Sequence, residues 1–226
     1  ERDFLPASRQ LVALAERERP DAVLLVNPNN PTGRLWPKQD LLEAVEALPA
    51  GTLAMVDETY IEYAGASASL EQEAAQRPGL IVLKSMSKVY ALSGARVAYM
   101  VAAPDVIRSL ARWMPPWPVG LPAQAAAMEA LRDPAWYASR YAETALLRAQ
   151  CLSAHGAAAR PSESNFYLVR TKNPAGVAAA LRERLIYVRE FGQGALAGRY
   201  LRIAVKGAEA NARILEALKA AQAADS

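Results

Sequence analysis

A short stretch between residues 83 and 96 brings together two hydroxyls, an amine and a guanidinium. They belong to Ser85, Ser87, Lys88 and Arg96. Hydroxyl and guanidinium groups bind phosphate, and an unprotonated lysine amine attacks carbonyl carbons. The stretch therefore indicates a phosphate site beside a lysine that can form a Schiff base. A surface lysine in a polar turn would show the same residue types, so other parts of the chain must decide.

Two further groups of polar residues each follow a short apolar run. The first is the turn sequence Asn-Pro-Asn-Asn-Pro-Thr-Gly at 27–33, which contains Asn30. The second is Asp-Glu-Thr-Tyr, which begins at Asp57 and ends at Tyr60. Each has an ordinary structural explanation, because such turns are common and Asp57 could cap a helix. Taken together with the lysine stretch, they place polar groups repeatedly at the ends of apolar runs.

The first half of the chain alternates between β-rich runs and segments of helical spacing. Strands are predicted at 22–27, 53–57, 80–84 and 97–102, and helices at 6–18, 37–48 and 104–113. This alternation predicts a three-layer α/β/α fold with a mostly parallel sheet. Ligands of such sheets bind outside the carboxyl ends of the strands, so polar groups distant in sequence converge there. The carboxylate, phenol, amide, amine and phosphate-binding groups together suit pyridoxal phosphate.

The second half predicts a smaller α+β domain. Prolines at 115, 116, 118 and 122 break the pattern and indicate a boundary, so the domains are predicted as 1–120 and 121–226. Helices are predicted at 121–132, 134–156, 174–184 and 208–222, and strands at 165–170, 185–189 and 200–205.

The motifs resemble those of the fold-type I pyridoxal-phosphate enzymes, and among them the class I and II aminotransferases. The resemblance rests on 27–33, on Asp57 to Tyr60, on Ser85 to Lys88 with Arg96, and on Arg202 within 200–205. It is most evident for the histidinol-phosphate aminotransferases and the threonine-phosphate decarboxylases. The resemblance implies that residues 1–120 are part of the large cofactor-binding domain.

The resemblance also implies a role for each motif residue. Lys88 would carry the cofactor and then move a proton at the substrate α-carbon, and Asp57 would contact the pyridine nitrogen. The other implied cofactor contacts are Asn30 and Tyr60 with the phenolic oxygen, and Ser85, Ser87 and Arg96 with the phosphate.

Two arginines of the second half resemble those that hold the anionic group of the substrate in this family. Arg202 interrupts an apolar strand pattern, where a charge is costly without a partner. Arg189 lies thirteen residues earlier and suggests a second anion contact, with a solvated charge at a strand end as the alternative.

By resemblance, the expected activity is amino-group transfer between an amino acid or phosphorylated amine of histidinol-phosphate type and 2-oxoglutarate, in amino-acid biosynthesis. A decarboxylase of the threonine-phosphate type is the alternative within the same cofactor chemistry. An inactive scaffold is the alternative of another class, because the N-terminal portion of the family, with its glycine-rich phosphate loop, is expected to be missing. The family also implies a homodimer.

Composition excludes several other functions. The 226 residues carry 26 basic and 23 acidic side chains, and a net charge of +3 does not indicate nucleic acid binding. The single Cys151 agrees with a cytoplasmic protein, and neither it nor His155 indicates a metal site. No apolar run approaches the ~20 residues of a membrane-spanning helix. Lys84 and Lys206 are predicted to be surface lysines.

Overall fold

Within residues 4–5 and 7–224, which the computed structural model describes, the first sheet has four strands in sequence order. They are β1 (Ala22–Val26), β2 (Leu53–Asp57), β3 (Leu80–Ser85) and β4 (Ala98–Ala102). The first three are parallel, and β4 runs antiparallel to β3. Asp57 is level with Val26 on one side and with Leu83 on the other. The carboxyl ends of the parallel strands therefore meet at one edge, as the α/β prediction requires.

The second sheet is antiparallel throughout the described residues. Its strands are β5 (Ala159–Arg160), β6 (Phe166–Arg170), β7 (Arg189–Glu190) and β8 (Tyr200–Ala204), in the spatial order β5-β6-β8-β7. Together with the first sheet it confirms the predicted combination of a mostly parallel α/β part and a smaller α+β part.

Helices separate the strands of the first sheet along the chain, and other helices lie between or after the strands of the second. They are α1 (Ser8–Glu18), α2 (Lys38–Glu46), α3 (Glu71–Ala74), α4 (Met86–Val89), α5 (Pro104–Ala111), α6 (Leu121–Arg132), α7 (Pro134–His155), α8 (Pro174–Glu183) and α9 (Ala208–Ala224). The start of α8 follows from its sequence, because Asn173 accepts a hydrogen bond from Gly176 N at 2.9 Å and proline occupies the first helical position. Among the described residues, no helix is long and apolar enough to cross a membrane.

The chain divides into two compact units. The first unit consists of Leu5–Asn30 and Leu35–Tyr141, and the second of Pro31–Arg34 and Ala142–Ser226 together with the N-terminal residues up to Phe4. The first unit contains the first sheet, and the second unit contains the second sheet. The domain boundary predicted after residue 120 stays a prediction.

Each unit has its own apolar core. In the first, Leu41 of α2 packs with Val56 of β2 and Val82 of β3, and all three are fully buried. In the second, Leu218 of α9 packs with Tyr167 of β6. Burial of each such side chain contributes about 1.5–3 kcal/mol, so both sheets are held by the helices that cover them.

The bounds of the predicted helices and strands agree with the structure to within two residues, except for one predicted strand. The strand predicted at 185–189 is wrong, because only Arg189 and Glu190 join the ladder. Leu185 has a φ of 57°, and Ile186 N donates to Leu181 O at 3.0 Å. This left-handed residue and its hydrogen bond close the end of α8, so the chain turns where the apolar pattern suggested an extended strand.

Gly33 ends the Asn-Pro-Asn-Asn-Pro-Thr-Gly turn and packs closely against Ser162, and both residues belong to the second unit. Its φ is +73°, and a Cβ added there would lie 2.7 Å from the Cβ of Ser162. Ser162 cannot rotate away easily, because its hydroxyl donates to Phe166 O and accepts from Ser164 N. We expect Gly33→Ala to lower the free energy of unfolding by about 2–4 kcal/mol, from left-handed backbone strain and from overpacking.

Urea unfolding measures this loss, and Gly51→Ala is its matched control. Gly51 also has a positive φ, of +90°, but nothing lies within 4 Å of its added Cβ. The control therefore carries the backbone strain without the clash. If Gly33→Ala were no more destabilising than Gly51→Ala, the close packing against Ser162 would not constrain the turn.

Candidate functional site

Asp57 is the last residue of β2, and its carboxylate is held from within its own turn. Its Oδ1 accepts hydrogen bonds from Thr59 N at 2.9 Å and from the Thr59 hydroxyl at 2.5 Å. The backbone around it is tied to both neighbouring strands, because Asn27 N donates to Asp57 O and Glu58 N donates to Leu83 O, each at 2.9 Å. The carboxylate is therefore oriented before any ligand binds.

The Ser85–Lys88 stretch lies at the equivalent end of the next strand. Ser85 ends β3 and caps α4, where its hydroxyl is 2.8 Å from the Ser87 hydroxyl. The two hydroxyls thus form one polar cluster. Lys88 is exposed on α4, whose other face is anchored by the buried Met86 and Val89.

Hydrogen bonds fold the following loop back onto this cluster. The Ser93 hydroxyl donates to Ser87 O at 2.6 Å, and Arg96 Nη1 donates to Ser93 O at 3.1 Å. Met86 N donates to Val97 O at 3.2 Å, which closes the base of the loop. Arg96 is exposed and has a φ of 53°. The structure therefore connects the predicted arginine to the predicted serines through Ser93.

The turn at 27–33 is held by the side chain of Asn27, whose amide oxygen and nitrogen both form hydrogen bonds. Asn27 is 2% exposed, and its amide accepts from Trp36 N at 2.8 Å and donates to Trp36 O at 3.1 Å. Asn30 lies three residues further along the turn and is exposed. Tyr60 is buried and directly precedes a 3-10 turn, Ile61–Tyr63. Both predicted phenolic-oxygen contacts thus follow the ends of β1 and β2.

One protein family matches almost the whole length of this chain. The family described as aminotransferase class I and II matches residues 6–218. The chain belongs to the class I and II aminotransferases. This confirms the resemblance drawn from the motifs.

Individual relatives within the aminotransferase family support a narrower likeness. A histidinol-phosphate aminotransferase of Anaeromyxobacter sp. (strain Fw109-5) is 36% identical over 222 residues, which cover 95% of this chain and 59% of that protein. One of Thermococcus kodakarensis is 35% identical over 207 residues, 91% of this chain and 58% of that protein. The chain thus spans about three fifths of the length of these curated relatives.

Solved structures of the family show the same architecture. The histidinol-phosphate aminotransferase of Sinorhizobium meliloti, in complex with pyridoxal-5'-phosphate, matches with a TM-score of 0.87 and 27% identity, covering 100% of this chain and 64% of that one. The L-threonine-O-3-phosphate decarboxylase of Porphyromonas gingivalis matches with a TM-score of 0.82 and 25% identity, covering 95% of this chain and 68% of that one. The cofactor predicted from the sequence is the one bound in the Sinorhizobium structure.

The chemistry of the donor set in the first unit fits this cofactor. A carboxylate at Asp57 matches a protonated ring nitrogen, and the Ser85 and Ser87 hydroxyls with the Arg96 guanidinium match a phosphate dianion. An exposed amine at Lys88 matches the aldehyde. A cavity of about 450 Å³ is lined by Asp57 and Ser85, together with Thr59, Lys84 and mostly apolar side chains, and its lining does not include Ser87, Lys88 or Arg96. Cofactor contacts by these residues stay a prediction.

The two predicted substrate arginines lie in the second unit. Arg189 of β7 and Arg202 of β8 are register partners, so their side chains leave the sheet on the same face. The Arg202 guanidinium lies 4.8 Å from the centre of the Phe166 ring. Two guanidinium groups on one face of a sheet can bind the same anion. This pairing is the structural support for an anion site at these arginines.

Two charged residues near the site were missed or misjudged from the sequence. Lys84 was predicted to lie on the surface, but it is 4% exposed. Glu58 is fully buried, although it directly follows Asp57. The available signal was that Lys84 lies inside the apolar run of β3, where an unpaired charge would be costly. Trp117 is 91% exposed in the structure.

Proposed function

We propose that this chain is the lysine-bearing part of a pyridoxal-phosphate-dependent aminotransferase of histidinol-phosphate type. One observation carries the proposal: Asp57 and Ser85 end neighbouring parallel strands at the same sheet edge, and Lys88 follows within the next helical turn. This is where ligands of open α/β sheets bind. The family and the histidinol-phosphate aminotransferases among its relatives support the same conclusion.

The residues of the first unit would bind and orient the cofactor. Asp57, already held by Thr59, would keep the ring nitrogen protonated, since an ionised carboxylate favours the charged ring. Ser85, Ser87 and Arg96 would bind the phosphate. Asn30 and Tyr60 would donate hydrogen bonds to the phenolic oxygen. Bound in this way, pyridoxal phosphate supplies an acceptor for the electrons released at the substrate α-carbon.

Lys88 would perform two tasks in succession. Its amine would hold the cofactor covalently, and the same amine would move a proton at the α-carbon of the substrate. Its exposed place on α4 allows both tasks without rearrangement of the buried Met86 and Val89. Arg189 and Arg202 would hold the phosphate or carboxylate of the amino donor and of 2-oxoglutarate.

A decarboxylase is the second candidate, favoured by the likeness to the Porphyromonas threonine-phosphate enzyme. It would use the same residues of the first unit, and the difference would lie in which bond of the α-carbon is aligned for cleavage. We further propose a cytoplasmic homodimer. Large apolar side chains exposed on the first unit, among them Trp113 and Trp117, support association with another chain.

Titration of the chain with pyridoxal phosphate, followed by borohydride reduction and peptide mapping, tests the proposal. We expect one stoichiometric adduct, on the peptide that contains Lys88. Lys84 and Lys206 are internal controls, because the first is buried and the second is exposed far from the motif in sequence. Adducts distributed over exposed lysines such as Lys206 would contradict the site.

Product analysis then separates the candidate reactions. Incubation with histidinol phosphate and 2-oxoglutarate is expected to yield glutamate. Carbon dioxide released from threonine phosphate, without glutamate formation, would favour the decarboxylase. An adduct on Lys88 with neither product would favour the inactive scaffold.

A further inference from the structure

A cluster of charged side chains in the first unit is centred on the buried pair Lys84 and Glu58. Lys84 Nζ is 2.6 Å from Glu62 Oε1, 3.3 Å from Glu58 Oε2 and 3.9 Å from Glu71 Oε2. The Lys84 side chain is 4% exposed and that of Glu58 is 0% exposed. A lysine and a glutamate are almost never buried this completely unless they are paired.

Hydrogen bonds extend the cluster into the surrounding elements. Glu58 Oε2 accepts from the Ser69 hydroxyl at 2.6 Å, and Glu58 Oε1 accepts from Leu70 N at 2.7 Å. The Tyr99 hydroxyl of β4 donates to Glu71 Oε1 at 2.9 Å. The cluster therefore joins the end of β2, the start of α3, β3 and β4.

The two central charges are sequence neighbours of two candidate cofactor contacts. Glu58 directly follows Asp57, and Lys84 directly precedes Ser85. Asp57 is level with Leu83 in the parallel pair of β2 and β3, and Glu58 N donates to Leu83 O. Because side chains alternate between the faces of a strand, Glu58 and Lys84 share one face while Asp57 and Ser85 share the other.

Stability alone does not explain why these charges are buried. Removing two charges from water is unfavourable, and well-packed apolar residues in their place often stabilise a protein as much or more. Burial raises the pKa of the Glu58 carboxyl, against the opposing effects of Ser69, Leu70 and Lys84. Burial lowers the pKa of Lys84, but the charges of Glu62 and Glu58 outweigh it and keep the amine protonated. A retained buried cation between carboxylates suits a role in conformational specificity.

We propose that Lys84 and Glu58 are positioning residues: their ion pair sets the distance between Asp57 and Ser85. This inference rests on the proposed function, in which Asp57 contacts the ring nitrogen and Ser85 contacts the phosphate. In the cofactor a short methylene–oxygen arm joins the phosphate to the rigid pyridine ring, so the separation of the ring nitrogen and the phosphate can vary only over a limited range. Both contacts therefore form together only if the two strand ends lie at a matching distance. A displacement of about 1 Å costs on the order of 10²-fold in such arrangements.

The test compares binding of pyridoxal phosphate with binding of pyridoxal, which lacks the phosphate. The ratio of the two dissociation constants reports how well the ring and phosphate contacts are made at once. A ratio that favours pyridoxal phosphate is a preference for the phosphorylated cofactor. We expect Lys84→Met to reduce this preference by about tenfold or more, mainly by weakening the binding of pyridoxal phosphate. Lys84→Arg, which keeps the cation, is expected to retain the preference to within about threefold.

Two additional variants separate positioning from stability. Leu41→Ala removes a fully buried side chain of the same unit, outside the charge cluster, and should lower the unfolding temperature without changing the ratio. The double variant Glu58→Gln/Lys84→Met removes both charges and replaces Lys84→Met if that variant does not fold. We expect the double variant to lose the preference for pyridoxal phosphate over pyridoxal to the same extent as Lys84→Met.

The outcomes distinguish this inference from the proposed function. A folded Lys84→Met or double variant with the wild-type ratio overturns the positioning role and leaves the proposed function intact. If the wild-type chain binds neither ligand, the proposed cofactor function fails instead. Amide hydrogen exchange then decides the positioning role: faster exchange of 57–58 and 85–88 in Lys84→Met than in Leu41→Ala supports it, and equal exchange overturns it.

Discussion

Lys88→Ala is expected to abolish the borohydride-reducible adduct and to lower amino-group transfer by about 10³-fold or more. The loss is this large because one amine performs both the covalent attachment and the proton transfer. Removing that amine therefore removes both functions at once. Peptide mapping after reduction measures the first effect, and glutamate formation in a single-turnover assay measures the second. The fold should be unaffected, since the Lys88 side chain is exposed and α4 is anchored by Met86 and Val89.

Lys206→Ala is the matched control for this variant. Lys206 is also an exposed lysine, but it lies outside the candidate site residues. It should keep both the adduct and the transfer rate. An undiminished adduct in Lys88→Ala would show that another lysine carries the cofactor, and the assignment of the motif would be wrong.

Asp57→Asn is expected to lower amino-group transfer by about 10²- to 10⁴-fold while leaving the chain folded. The amide keeps the shape of the carboxylate and can still accept the hydrogen bonds from Thr59 N and the Thr59 hydroxyl. It carries no charge, however, so it cannot favour a protonated ring nitrogen, and the ring becomes a weaker electron acceptor. The predicted loss therefore falls on the chemical step more than on the fold.

Single-turnover kinetics and circular dichroism together check this prediction. Asp21→Asn is the control, because Asp21 is an exposed aspartate just before β1, at the opposite end of the strands from Asp57. It should retain the wild-type rate. Wild-type turnover in Asp57→Asn would remove Asp57 from the site and leave it the structural role of holding its own turn through Thr59.

Most of the secondary structure could be predicted because its signals are local. The apolar runs of β1 to β4 and the helical spacing of α6 and α7 lie in continuous stretches, and burial of one face imposes a period on each. The strand predicted at 185–189 was wrong for a local reason as well. Leu185 adopts a left-handed conformation that ends α8, and the sequence has no glycine there to signal it.

The sequence by itself determined the α/β class, the family and which polar residues end the strands, because motif order and periodicity are properties of the chain. Tertiary structure decided which side chains meet. Lys84 and Glu58 are 26 residues apart and pair because β2 and β3 are parallel in one register. Arg189 and Arg202 face each other because β7 and β8 are antiparallel. Gly33 meets Ser162 through packing of segments far apart in sequence. Register and packing depend on which strands become neighbours, and no local pattern contains that information.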